Sequence, residues 1–309
     1  MQWAGRAGGT PEVIAEVAAG CLLLGAMVLG GGSRGLGDAI VHLLALPVVV
    51  FAILRWRNAD ATRTQHLFLA WVLAAVGLFA LQLMPVPASV FALFPQRAAV
   101  LADLHRAGLE PRWLPLTLDI WGTVRALLAF ATFAAMALLA LTLSQAARLR
   151  LLMLALLVAA PMALLGYSQA AAGTGSALRF YDYHHPTGAI GLFANRNHYA
   201  DLLGLLLPFG IVFATQAQSR QQRGLAAAWY ALDVALLLAV ALSFSRAGIA
   251  LTVLAVAASV LLLRPANSRG RLVMPLLALG LAGLGIATYA WDGIVARLAQ
   301  DPLDDLRWQ

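Results

Sequence analysis

The sequence predicts an all-α, polytopic integral membrane protein, a helical bundle of about nine transmembrane helices with a cytoplasmic N-terminus. Of the 309 residues, 61% are hydrophobic and only 11% are charged, whereas a soluble domain carries roughly 25% charged residues. The apolar residues form long stretches, and arginines are concentrated in alternate connections between them. Residues 1–290 are therefore predicted to form the bundle.

Nine apolar stretches are candidates for membrane-crossing helices, since a helix needs roughly 20 residues to cross the hydrocarbon core. Backbone polar groups cannot remain unpaired in lipid, so each stretch is predicted to be helical. The stretches are residues 13–30, 38–54, 67–86, 120–143, 151–171, 198–216, 226–244, 247–263 and 272–290.

Arginine density predicts which side of the membrane each connection faces. Four alternate connections hold ten arginines and one acid, Asp60. Because cytoplasmic loops are rich in Arg and Lys, this side is predicted to be cytoplasmic. Segments 87–119, 172–197 and 291–309 are then outside. The arginine-rich connections are residues 55–66, 144–150, 217–224 and 264–271.

Several classes of function have no support in the sequence. The net charge of +7 does not predict nucleic-acid binding, because the arginines lie between apolar segments and form no tract. There is no Walker motif, Gly-rich dinucleotide loop or Gly-x-Ser-x-Gly elbow. The adjacent His184 and His185 lack an accompanying acidic or cysteine cluster, so no metal site is predicted.

The first candidate site is the motif Asn195-Arg196-Asn197-His198, at the predicted outer start of the sixth stretch. Asn is a good N-cap, and the free N–H groups of a helix start attract anions. An arginine there adds donors suited to phosphate. These four residues are predicted to bind substrate, as a phosphate or diphosphate clamp at the outer leaflet. The alternative is a helix cap with an arginine that snorkels to solvent.

The second candidate is Arg246, which ends the seventh stretch on the side predicted to be poor in arginine. It could stabilise negative charge that develops on a leaving group, or it could pair with a lipid phosphate.

A third candidate, Arg307, follows Asp304 and Asp305 in the last segment. Alone, that segment is typical of a solvated charge cluster.

A further polar group, Asp233, lies about two turns into the seventh stretch from the inner side. Buried acids in membrane helices can relay protons. Because no partner for this carboxyl can be identified from the sequence, we expect a structural hydrogen bond or partial exposure instead.

Four short motifs follow one another along the chain between residues 82 and 308. Their order, spacing and predicted outer placement resemble the O-antigen ligase/polymerase (Wzy-type) family of bacterial envelope glycosyltransferases, over about residues 80–309. The motifs are Gln82-Leu-Met-Pro-Val-Pro87 with Leu116-Thr-Leu-Asp119, Phe193-Ala-Asn-Arg-Asn-His-Tyr-Ala200 with Leu206-Leu-Pro208, Ser245-Arg-Ala-Gly248, and Asp304-Asp-Leu-Arg-Trp308.

The resemblance implies a multi-pass enzyme of the bacterial inner membrane that moves a glycan from undecaprenyl diphosphate to an acceptor at the outer face. The acceptor is lipid A-core sugar in ligases and a growing polysaccharide chain in polymerases. The reaction it implies needs no metal, cofactor or nucleotide sugar. Arg246 and Arg307 match arginines of the family and would both contact the diphosphate as catalytic residues.

The sequence departs from the family in one respect. The resemblance places the catalytic histidine further along a large periplasmic loop, which residues 291–309 would begin. No histidine of this chain can be assigned that role, so the chain is expected to be a fragment or an inactive relative acting as a scaffold. A second alternative is a transporter or channel for a lipid-linked or anionic solute, although few ionisable groups lie within the stretches.

Overall fold

The structure is a computed structural model that describes residues 10–29, 35–57, 62–181 and 186–262. Within these ranges the chain is predominantly α-helical, and seven helices are long and apolar enough to cross a membrane. The protein is therefore an all-α, multi-pass membrane protein, as predicted.

The long helices coincide closely with the predicted apolar stretches. Eight of the nine stretches are helical over most of their described length, and the ninth, 272–290, lies outside the described residues together with Arg307. The number of spans thus stays a prediction. In chain order the elements are α1 (Thr10–Leu29), α2 (Leu36–Arg57), α3 (Arg63–Leu83), β1 (Pro85–Pro87), α4 (Ala88–Phe91), α5 (Pro95–Arg106), β2 (Trp113–Pro115), α6 (Ile120–Thr142), α7 (Gln145–Ala172), α8 (Arg196–Ser219), α9 (Arg223–Leu242) and α10 (Arg246–Leu262).

Polar residues beside the apolar stretches determine where several helices begin. Asp119 accepts a hydrogen bond from the N–H of Gly122 at the start of α6, and Ser144 accepts one from Ala147 at the start of α7. Thr62 and Gln65 form a capping box at the start of α3. Such caps satisfy N–H groups that have no partner within the helix.

The end of α3 differs from the prediction. The stretch 67–86 was expected to be helical throughout, but α3 ends at Leu83 and Pro85–Pro87 forms an extended strand, β1. Proline lacks an N–H group and disfavours helical geometry in the residue before it, so two prolines in three residues end the helix. β1 pairs antiparallel with β2, with Val86 opposite Leu114.

The chain divides into two compact units. Among the described residues, one contains those of 10–19 and 42–143, and the other contains those of 20–41 and 144–262. In the second unit α8 packs along both α9 and α10. Its core is a cluster of buried apolar side chains that includes Leu156, Met162, Leu203, Leu207 and Leu236.

Candidate functional site

The starts of α8 and α10 lie side by side in the second unit. Three contacts join the two helices, and the partners in each are 48 residues apart in sequence. A constant offset means that the helices run parallel and in register. The contacts are the hydrogen bond between Asn197 and Ser245, the packing of Ala200 on Gly248, and the packing of Gly204 on Thr252.

Small residues make this close approach possible. A Cβ atom added at Gly248 would overlap the Cβ of Ala200, and one added at Gly204 would overlap the hydroxyl of Thr252. Small residues spaced four apart let membrane helices approach closely, because backbone then packs on backbone. The apposition of the two helix starts therefore depends on glycine at positions 204 and 248.

A hydrogen bond joins the cap of α10 to the first turn of α8. Ser245, immediately before α10, accepts a hydrogen bond from the N–H of Gly248 at 3.0 Å. Its hydroxyl donates to Oδ1 of Asn197 at 2.8 Å. At the start of α8, Oδ1 of Asn195 accepts from the N–H of Asn197 at 2.8 Å. The predicted cap at Asn195 is confirmed, and Asn197 has the additional role of joining the helices.

The turn between α9 and α10 is tight and contains one unusual backbone conformation. Phe244 has a φ of 53°, in the left-handed region, which costs a residue with a side chain roughly 1–2 kcal/mol. Ser243 is fully buried and its hydroxyl accepts from the N–H of Ser245 at 3.1 Å. This geometry places Arg246 at the first position of α10, directly after the cap.

Arg196 and Arg246 occupy the first helical position of their respective helices. Arg196 is only 2% exposed and its Nε has no hydrogen-bond partner, whereas Arg246 is half-buried. Each helix N-terminus adds the equivalent of about half a positive charge. Two arginines and two helix N-termini therefore concentrate positive charge at one end of the unit.

The burial of Arg196 corrects one sequence interpretation. A snorkelling arginine would extend its guanidinium into solvent, but this side chain is enclosed. Its Nε is buried without a hydrogen-bond partner. His198, the fourth residue of the motif, is exposed. The structure thus brings Asn195, Arg196 and Asn197 together with Ser245 and the start of α10.

Two residues that sequence reasoning did not select hold the loop before α8. Gln169 of α7 is fully buried and bonds to the backbone of residues 178, 190 and 191. Arg179 is 8% exposed and donates to three backbone carbonyls. Burial lowers the pKa of the Arg179 guanidinium below its ordinary value. The feature of the sequence that could have identified Arg179 is that it is an arginine in a predicted outer loop.

Asp233 contradicts both expectations made for it. It is 2% exposed, and neither carboxylate oxygen has a hydrogen-bond partner. It lies ten residues after the first residue of α9 and nine before the last, near the middle of the helix. A Cβ added at Gly210 would be 2.7 Å from its carboxyl carbon, so that glycine makes room for the side chain.

The fold defines this chain as a multi-pass helical membrane protein. It matches no family model, no curated protein and no solved structure. Among the described residues there is no group of three or more His, Cys, Asp or Glu side chains able to hold a metal ion; His184 and His185 lie outside those residues.

Proposed function

We propose that the protein is a glycosyltransferase of the O-antigen ligase/polymerase type. It transfers a glycan from undecaprenyl diphosphate to lipid A-core or to a growing polysaccharide chain, at the periplasmic face of the bacterial inner membrane. One observation carries the proposal: the two parallel helix starts, each with an arginine in first position, are joined by the Asn197–Ser245 hydrogen bond.

The reaction explains why positive charge would be gathered there. An acceptor hydroxyl attacks the anomeric carbon and releases its proton to water, the bond from that carbon to the diphosphate oxygen breaks, and negative charge develops on the diphosphate. Helix N-termini and guanidinium groups aimed at that charge stabilise the transition state. Arg196 and Arg246 hold the diphosphate in this proposal, Asn195, Asn197 and His198 line the binding site, and Arg307 adds a further contact.

The proposed orientation follows the arginine count of the connections. With nine spans and a cytoplasmic N-terminus, the connections before α8 and before α10 face the periplasm. Both helices would then begin at the outer surface, where a lipid-linked diphosphate presents its head group. Membrane lipids and the undecaprenyl carrier are the apolar partners in this arrangement.

A binding experiment with detergent-purified protein tests the proposal. Undecaprenyl diphosphate should bind wild-type protein, and Arg246→Ala and Arg196→Gln should each weaken binding by about 10-fold or more, as expected for a charge-assisted contact worth 1.5–3 kcal/mol. Arg148→Ala is the matched control, because Arg148 is exposed in the first turn of α7. Equal affinity in all four proteins would refute the diphosphate site.

A cellular experiment tests turnover. In the native host, Arg246→Ala should abolish capped surface polysaccharide while the amount of membrane-inserted protein stays unchanged. Normal polysaccharide in that strain would remove Arg246 from the mechanism. Binding of undecaprenyl diphosphate without any dependence of the polysaccharide on Arg246 would favour a non-catalytic scaffold.

A second candidate function, transport of a lipid-linked or anionic solute, is favoured by Asp233. Intramembrane acids mark ion and proton pathways in many transporters, and this one is buried near the middle of α9 without a hydrogen bond. Solute flux into vesicles that carry the purified protein, lost in Asp233→Asn, would support transport. Glycan transfer that persists in Asp233→Asn, with no flux in wild type, would support the glycosyltransferase.

A further inference from the structure

The loop before α8 is attached to α7 through the side chain of Gln169. The amide nitrogen donates to the carbonyls of Leu178 and Gly191, at 2.9 and 2.8 Å. The amide oxygen accepts from the N–H groups of Ile190 and Gly191, at 3.0 and 2.8 Å. Four hydrogen bonds use the two donors and two lone pairs of the amide, so this buried side chain specifies one position for residues 190 and 191.

Arg179 fixes the same loop a few residues earlier. Its guanidinium donates to the carbonyl of Gly188 at 2.8 Å and also to those of Gly173 and Gln169, at 3.3 and 3.4 Å. A planar guanidinium can reach several acceptors at once, which the ammonium of lysine cannot do with the same geometry. The stretch from Gly188 to Gly191 is therefore anchored at both of its ends.

This stretch contacts the end of α9 and the turn that leads into α10 on one side, and the first turn of α8 on the other. The N–H of Ala189 donates to the carbonyl of Leu242 at 2.8 Å, at the end of α9. Gly188, with φ of +77°, lies so close to the turn that a Cβ there would be 2.9 Å from the carbonyl oxygen of Ser243. At the other end, Gly191 packs against the ring of Tyr199, in the first turn of α8.

We propose that Arg179 and Gln169 are positioning residues of the diphosphate site: they fix the Gly188–Gly191 stretch, which holds the starts of α8 and α10 together. The inference rests on the proposed function. Neither residue contacts the ligand in this account. They act through the loop, by keeping Arg196 and Arg246 at one separation, so that the free protein already has the geometry that the diphosphate needs.

A double-mutant cycle tests this inference. The probe is undecaprenyl diphosphate, and the variants are Arg179→Ala, Arg196→Gln and the double mutant, with Arg148→Ala as control. Arg179→Ala should weaken binding by about tenfold. At metal sites, loss of a residue that orients a ligand without touching the metal costs about 10- to 100-fold in affinity, and the same kind of indirect effect is expected here. In the Arg196→Gln background it should have almost no further effect, because the separation between Arg196 and Arg246 no longer matters once one of the two charges is gone.

Rescue experiments separate positioning from a general loss of folding. Added guanidinium should restore most of the affinity of Arg179→Ala by occupying the vacated space, and it should not help Arg196→Gln with Arg179 intact. Arg179→Lys should restore little, because it keeps the charge but loses the planar fork.

Hydrogen exchange gives a readout that needs no ligand. In Gln169→Ala the amides of Ile190 and Gly191 should exchange faster than in wild type, because they lose their acceptor. Fast exchange with undiminished diphosphate affinity would overturn the positioning role, as would additive effects in the double mutant. Absence of diphosphate binding to wild-type protein would instead refute the proposed function itself.

Discussion

The hydroxyl of Ser245 donates a hydrogen bond to Oδ1 of Asn197, 48 residues away in sequence, at 2.8 Å and so joins the starts of two helices. Each partner also takes part in capping a helix, since Ser245 accepts from Gly248 and the N–H of Asn197 donates to Asn195. Capping and helix pairing therefore depend on the same few atoms. Any ligand held by the first turns of both helices depends on them as well.

Removal of this hydroxyl should be costly. Ser245→Ala loses the cap of α10 and leaves Oδ1 of Asn197 without its donor, and loss of a cap alone destabilises by about 0.5–2 kcal/mol. The melting temperature in detergent should fall, and diphosphate affinity should fall with it. Ser259→Ala is the control, since that hydroxyl bonds only within its own helix, to the carbonyl of Ala255. Equal melting temperatures for the two variants would contradict the joining role.

Gly204 should not tolerate alanine. Its added Cβ would overlap the hydroxyl of Thr252, and overpacking of this kind costs typically 1–3 kcal/mol. Gly77→Ala in α3 is the matched control, because the Cβ added there meets no side chain and no other element within 4 Å. That variant should be neutral or gain about 0.5–1 kcal/mol from helix propensity. Thermal melting of both variants measures the difference, and a neutral Gly204→Ala would contradict the close packing of α8 on α10.

Replacement of the buried acid should not destabilise the fold. Asp233→Asn has nearly the same shape, and no hydrogen bond is lost because neither carboxylate oxygen has a partner. The melting temperature should stay the same or rise. Gln169→Leu, at a buried amide with four hydrogen bonds, should by contrast lower it clearly, since each unsatisfied buried group costs about 1–3 kcal/mol. A large loss in Asp233→Asn would indicate a partner for that carboxyl.

Stability at high pH should depend on Tyr181. Burial, and then the negative charge of Asp38, raise the pKa of Tyr181 above its ordinary value. The folded state therefore keeps this proton at a pH where the unfolded chain, with a pKa of about 10, has lost it. The resulting stabilisation is complete below pH 10 and is lost as the pH rises further.

Tyr181→Phe tests the direction of this pH dependence. It removes the hydrogen bond to the carbonyl of Leu192 at every pH below 10, so it lowers the melting temperature by a constant amount there. Between pH 9 and pH 11 the variant should lose less stability than wild type does. Parallel melting curves over that range would exclude a contribution from this phenol.

The sequence by itself determined which segments are helical and that they belong in a membrane. The stretch 120–143 became α6 at Ile120–Thr142, starting after its Asp119 cap, because a long apolar run can satisfy its backbone in lipid only as a helix. Arg196 and Arg246 were selected for the same kind of reason, since a charge at the end of such a run is expensive. Pro85 and Pro87 also indicated that α3 ends near Leu83, although the apolar stretch continues past that point.

Only the tertiary structure decided which helices meet. The register of α8 on α10 depends on where Gly204 and Gly248 leave room for a neighbour, and a single helix contains no information about the residue that fills that room. Burial of Arg196 and of Asp233 likewise results from packing by distant segments. Local pattern governs whether a segment is helical, whereas the volumes and hydrogen-bond partners of residues far apart in the chain determine what each side chain contacts.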